Sequence, residues 1–116
     1  MSPQEDEFIS RVNKVIDDSI GQQPISVEQI ALEIQLSPNQ LKRKLKALTN
    51  KTTKQYIKRR QLYAAQKLLS NSELGIAEIA YELGFSDSNY FVRVFKSEFG
   101  LPPGAFRKEL QVSNID

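Results

Sequence analysis

The chain has 116 residues, with 16 basic and 14 acidic side chains, a formal net charge of +2, and neither cysteine nor histidine. That length allows one ordinary domain, or two very small ones sharing a core. Without Cys or His there is no thiol chemistry, no zinc finger and no His-based acid–base catalysis; with no Gly-rich phosphate loop and no clustered carboxylates, the sequence predicts no enzyme, no metal and no cofactor.

Helix-start signals recur along the chain. Ser2-Pro3-x-Glu5 supplies a Ser N-cap, a Pro at the first helical position and a Glu at the third. Phe8, Val12, Val15, Ile16 and Ile20 follow at helical spacing. Gly21 and Pro24 are expected to close this helix. The acidic, polar start "MSPQEDEF" lacks the make-up of a signal peptide, and no apolar run approaches membrane-spanning length. A cytoplasmic, nucleoid-associated chain is expected, with no membrane partner in this segment.

Ser26-x-x-Gln29 reads as a second capping box, with Ile25 and Ile30 as its hydrophobic staple. Ser37-Pro38-x-Gln40 reads as a third, followed by Leu41, the stem of Lys44, Leu45 and Leu48. A longer helix is expected from Thr53 to about Leu69, broken by "SNSELG". Ile76, Ile79, Ala80 and Leu83 mark a short helix ended by Gly84, and "GLPPGAF" is a turn leading into a last helix from Pro103 to about Leu110.

The small net charge hides a pattern. Residues 34–72 carry ten bases and no acid (Lys42, Arg43, Lys44, Lys46, Lys51, Lys54, Lys58, Arg59, Arg60 and Lys67), while the flanking segments are acidic. A charge run is often just a solvated face; the functional reading is a polyanion-binding surface, most often for nucleic acid.

The stretch "GFSDSNYFVRVFKSEFG", residues 84–100, holds five aromatics and alternates like a strand. An internal repeat assigns it to a helix. At an offset of 49, Ile30, Ala31, Glu33, Ile34, Leu36 and Ser37 meet Ile79, Ala80, Glu82, Leu83, Phe85 and Ser86. At an offset of 50, Leu41, Leu45, Lys46, Asn50 and Tyr56 meet Phe91, Phe95, Lys96, Gly100 and Phe106. The unit of short helix, tight turn and second helix therefore occurs twice, as in a pair of helix-turn-helix motifs. At about 100° per residue, Val94, Phe95, Glu98 and Phe99 share a face with Phe91, while Asn89, Arg93 and Lys96 lie opposite. The aromatics are expected to be scaffold.

The same offset superposes Asn39, Arg43 and Lys46 on Asn89, Arg93 and Lys96. Both second helices thus present Asn-x-x-x-Arg-x-x-Lys outward. Asn suits the N6/N7 edge of adenine and Arg the O6/N7 edge of guanine; Lys suits phosphate. Ser37 and Asp87 are assigned to helix N-caps, with support of Arg93 as the alternative role of Asp87.

The stretches "LSPNQLKRKLKALTN", "QYIKRRQLYAAQKLL", "IAEIAYELGFSDSNYFVRVFKSEFG" and "LPPGAFR" resemble the DNA-binding domain of the AraC/XylS family of bacterial transcription regulators over residues 26–107. "LKRKLKALTN" and the preceding amphipathic helix are most similar to C-terminal output domains of hybrid two-component sensors. The resemblance implies an all-α fold of about seven helices. It divides into an N-terminal helix plus first helix-turn-helix subdomain (1–52), a long linker helix (53–70), and a second subdomain with a C-terminal helix (71–116). It implies recognition helices at about 38–48 and 88–98 in successive major-groove segments of double-stranded DNA, about one turn (~34 Å) apart. The base-contact candidates are Asn39, Lys42, Arg43, Ser88, Asn89, Val92 and Arg93, and the phosphate candidates Lys46, Lys51, Lys54 and Lys96. Gln35 and Gln61 depart from the pattern, standing where the family often has Gly and Arg.

The alternative from another class is a protein-interaction module docking RNA polymerase or a sensor domain, with little DNA affinity of its own. No ligand-sensing or dimerisation domain is legible, so an output domain regulated by a sensor or receiver outside this chain is expected, with a small stand-alone regulator as the alternative. In a hybrid sensor the full-length protein would be membrane-anchored.

Overall fold

The computed structural model describes residues 1–21 and 25–113. Seven helices and no strand occur among the described residues: α1 (Pro3–Ser19), α2 (Val27–Glu33), α3 (Pro38–Thr49), α4 (Thr53–Asn71), α5 (Ile76–Glu82), α6 (Ser88–Phe99) and α7 (Pro103–Ser113). None is long and apolar enough to cross a membrane. The all-α expectation holds, and the aromatic stretch is helix α6. The chain divides into two compact units, residues 1–61 and 62–116, with α4 contributing to both.

The helix starts follow the side-chain signals. Ser2 and Glu5 bond each other's backbone N–H, and so do Ser37 and Gln40. A further reciprocal box, not read from the sequence, starts α4: Gln55 N donates to Thr52 Oγ1 at 3.1 Å and Thr52 N to Gln55 Oε1 at 2.9 Å. The box expected at Ser26 is only half made, with Ser26 Oγ accepting from Gln29 N at 3.0 Å. Gly21 follows α1 with φ 85°, whereas Pro24 lies outside the described residues.

In the first unit, α2 packs against α1 and α3. Val12, Ile16, Ile30, Ala31, Ile34, Leu41, Leu45 and Tyr56 form a buried cluster, which Ile25 and Ile57 help to cover. In the second unit α6 packs against α5 and α7. There the core is aromatic: the Phe95 ring lies 4.7 Å from Phe99, 5.5 Å from Phe106 and 5.9 Å from Phe91, centroid to centroid, in tilted and edge-on arrangements. Such geometries set the positive edge of one ring against the negative face of another. The repeat thus keeps its positions and changes its filling, Leu41 to Phe91 and Leu45 to Phe95.

Arg107 ties the end of α4 to α7. Its guanidinium donates to the carbonyls of Leu69 at 3.2 Å, Leu74 at 2.7 Å and Ser72 at 3.3 Å. A helix C-terminus leaves carbonyls without intrahelical partners and carries partial negative charge. One cationic fork answers both.

The turn between the two short helices is the same in each unit. After α2, Gln35 N donates to Leu32 O at 3.2 Å and Leu36 N to Ala31 O at 2.9 Å; after α5, Gly84 N donates to Tyr81 O at 3.0 Å and Phe85 N to Ala80 O at 2.9 Å. This paired pattern is a Schellman motif, and it requires a left-handed residue just past the helix. Gly84 takes φ 91° without a Cβ penalty, whereas Gln35 is held at φ 63°. The departure from Gly at Gln35 therefore costs a left-handed non-glycine residue. Asn50 (φ 58°) and Gly100 (φ 83°) make the matching left-handed ends of α3 and α6.

Because the Gln35 side chain is exposed, Gln35→Gly should relieve the left-handed strain with no packing loss. We expect a gain of about 0.5–1 kcal/mol after the added entropy of the unfolded chain. Urea denaturation reads this as a higher midpoint at unchanged slope, and a lower midpoint would contradict it.

Candidate nucleic-acid interface

Each unit turns a polar face outward on its second short helix because the opposite face is anchored. In α3, Leu41 and Leu45 are fully buried; in α6, Phe91 and Phe95 are. With a helical period of 3.6, that burial leaves positions 39, 43 and 46, and 89, 93 and 96, exposed. Asn39, Lys42, Arg43 and Lys46 are exposed on α3, and Asn89, Arg93 and Lys96 on α6. Ser88 and Val92 are half-buried, at the margin of the same face. Of the remaining expected residues, Lys54 is exposed in the first turn of α4 and Lys51 half-buried just before it.

The structure adds detail that residue types alone did not supply. Lys46 Nζ rests 3.4 Å from the Asn50 carbonyl at the C-terminal end of α3, where a cation complements the helix dipole. Asp87 acts as an N-cap, accepting from Asn89 N at 2.8 Å. Arg93 lies over the Tyr90 ring instead, with its guanidinium carbon 5.7 Å from the ring centroid. Tyr90 is half-buried, as is Phe99, and its ring lies 6.2 Å from Phe85 as well as under the Arg93 guanidinium.

The acid-free segment 34–72 is not acid-free in space. Asp17 of α1 accepts two hydrogen bonds from Arg60 of α4, at 2.6 Å and 3.1 Å. One turn earlier, the Tyr56 hydroxyl donates to Asn13. Both pairs are 43 residues apart, so the two helices run in the same direction through this contact. Burial raises the Tyr56 phenol above its ordinary value, against the opposing pull of the Arg60 charge and the Asn13 bond. Lys44, on α3, is also drawn towards α1, with its ammonium 5.1 Å from the centroid of Phe8. Arg60 and Lys44 are thus engaged within the unit. The matched i,i+4 spacing of Asn13/Asp17 and Tyr56/Arg60 was visible in the sequence, but nothing there pairs one with the other. Likewise, no group of three or more acidic side chains capable of holding a metal gathers among the described residues.

Two short helices joined by a left-handed turn, the second exposing an Asn/Arg/Lys face, occur once in each unit and define a tandem helix-turn-helix domain. The helix-turn-helix domain family matches residues 30–109, and the chain belongs to it. It is 38% identical over 104 residues to the Msm operon regulatory protein of Streptococcus mutans, covering 90% of this chain and 37% of that protein. It shares the fold of an AraC-type transcriptional regulator from Chromobacterium violaceum, with a TM-score of 0.86 at 22% identity over 94% of this chain and 96% of the other. It is also similar to the C-terminal domain of AraT, a response regulator from Geobacillus stearothermophilus, with a TM-score of 0.74 at 27% identity over 93% and 86% of the two chains. The chain spans about a third of the length of the curated relatives it matches.

The Asp17–Arg60 pair is two-pronged but partly solvated. Asp17→Ala should lower stability by about 0.5–1 kcal/mol, and Asn13→Ala by about 1 kcal/mol through the hydroxyl it leaves unpaired. Since the pairs sit one turn apart, the double variant should lose less than the two losses combined. Thermal unfolding of the four proteins measures the coupling, and strict additivity would mean that the two contacts act independently.

Proposed function

We propose that the chain is the part of a bacterial transcription regulator that binds double-stranded DNA sequence-specifically, with α3 and α6 each reading a segment of the major groove. The observation that carries this reading is the repeated exposed Asn-x-x-x-Arg-x-x-Lys face on a helix whose other side is fully buried. In this reading Asn39 and Asn89 pair with adenine edges and Arg43 and Arg93 with guanine edges. Lys42 and Ser88 reach neighbouring bases, and Val92 offers apolar contact to a thymine methyl. Lys46, Lys51, Lys54 and Lys96 hold phosphates and set the register. α4 serves as the linker between the two motifs. The regulatory name of the Streptococcus mutans relative and the response-regulator neighbour support an output role. That role places the chain on cytoplasmic, chromosomal DNA under the control of a sensor or receiver domain outside it.

A protein partner such as RNA polymerase is the complementary reading. Leu32 and Tyr81 occupy equivalent repeat positions and are 77% and 79% exposed, each beside an exposed glutamate, Glu33 or Glu82. Random duplex DNA at low salt separates the two: steep loss of binding at moderate salt belongs to nucleic acid, and no binding at all belongs to a protein module.

The first unit holds the excess positive charge, so α3 should supply most of the affinity and α6 refine specificity. Arg43→Ala should then cost more than Arg93→Ala, each about 1–3 kcal/mol. Equal or reversed losses in titrations at fixed salt would refute that order. Lys46→Ala and Lys54→Ala should weaken binding to every sequence alike and reduce the salt slope by about one. A changed base preference for Lys46→Ala would show that it touches bases instead.

A further inference from the structure

We infer that Tyr90 is a positioning residue for Arg93: its ring is a shelf that holds the guanidinium in place and gives the second recognition helix its discrimination at one base pair. This rests on the DNA-binding reading above.

The shelf is anchored from the core outward. Phe91 is fully buried, Phe85 lies 5.1 Å from it, the Tyr90 ring lies 6.2 Å from Phe85, and the Arg93 guanidinium lies over Tyr90 at 5.7 Å. Phe85 is also the residue placed by the left-handed turn at Gly84, through its bond to Ala80 O. The turn, two rings and the guanidinium therefore form a continuous series of contacts ending at the outward face.

The first unit has no counterpart. Leu36 and Gln40 stand where Phe85 and Tyr90 stand. Gln40 accepts from Ser37 N at 2.9 Å, which commits its side chain to the helix cap. In α6 the cap is made by Asp87 to the second helical residue, Asn89. The third position there carries a ring, Tyr90, in place of the capping amide. Arg93 is consequently pre-oriented where Arg43 is not.

A flexible arginine loses rotamer freedom when it forms a two-pronged bond, and one already held flat on a ring loses less. The gain appears only when the correct base is present. It therefore enters discrimination rather than the sequence-independent phosphate attraction, which follows salt.

The test uses the whole chain and a duplex chosen by selection from random DNA, together with duplexes substituted at each base pair. Arg93→Ala locates the base pair that Arg93 reads. Tyr90→Gln, which installs the residue that α3 carries at the equivalent position, should lower discrimination at that base pair about two- to fivefold, the strength of an exposed cation–ring contact. It should leave other positions and the salt slope unchanged, and have no effect in the Arg93→Ala background. Tyr90→Phe, which keeps the ring face, should retain wild-type discrimination, and Tyr90→Leu provides a second ring-free variant should Tyr90→Gln fold poorly. Unchanged discrimination without the ring, or an equal loss for all sequences in both backgrounds, overturns the shelf. So does an Arg93→Ala protein that binds DNA with discrimination intact. A wild-type chain without salt-dependent duplex binding overturns the DNA reading itself and the shelf with it.

Discussion

Each half of this molecule depends on one residue that must adopt a left-handed backbone just past a short helix. Gln35 and Gly84 hold that conformation, and two backbone bonds close around each. The turn satisfies carbonyls that a helix end would otherwise leave open. It also delivers the next residue, Leu36 or Phe85, to the margin of the core and releases the chain into Ser37 or Asp87, the caps of α3 and α6. The placement of each exposed Asn/Arg/Lys face thus begins at a dihedral angle several residues upstream.

The two copies fill that frame differently. The first uses branched aliphatics and joins α1 to the core through Val12 and Ile16. The second uses aromatic rings in edge and tilted contact, with Arg107 closing the end of α4 by three carbonyl bonds. The starts of α4 and α7 contrast in the same way. Pro103 is fully buried at the first position of α7, where a missing N–H is harmless. Thr53 is buried at the equivalent position of α4, and its hydroxyl has no hydrogen-bond partner.

Much of this was legible in the sequence because the relevant signals are local. Capping residues, helical spacing and the offset between copies located all seven helices to within a few residues, and the internal repeat corrected the strand-like look of residues 90–95. Burial of Leu41, Leu45, Phe91 and Phe95 followed from the same periodicity. What was not legible depends on which helix meets which. Asp17 cancels part of the charge in a segment that contains no acid of its own, and no one-dimensional count can register that. The fork of Arg107 answers carbonyls more than thirty residues away. The contact of Arg93 with the Tyr90 ring is likewise invisible to residue type and spacing alone.

The two contacts between α1 and α4 also act as a vernier. Asn13 meets Tyr56 and Asp17 meets Arg60, in the same order along both helices. Sliding α1 by one turn, about 5.4 Å, would set Asp17 against the Tyr56 phenol and Asn13 against Thr52, or Asn13 against the Arg60 cation and Ile9 against Tyr56. The first takes the Asp17 carboxylate away from the Arg60 cation, and the second sets an aliphatic side chain against the phenol. α1 is therefore indexed to α4 at a single notch, and a displacement along that axis would register as loss of both contacts together, without a gradual slip.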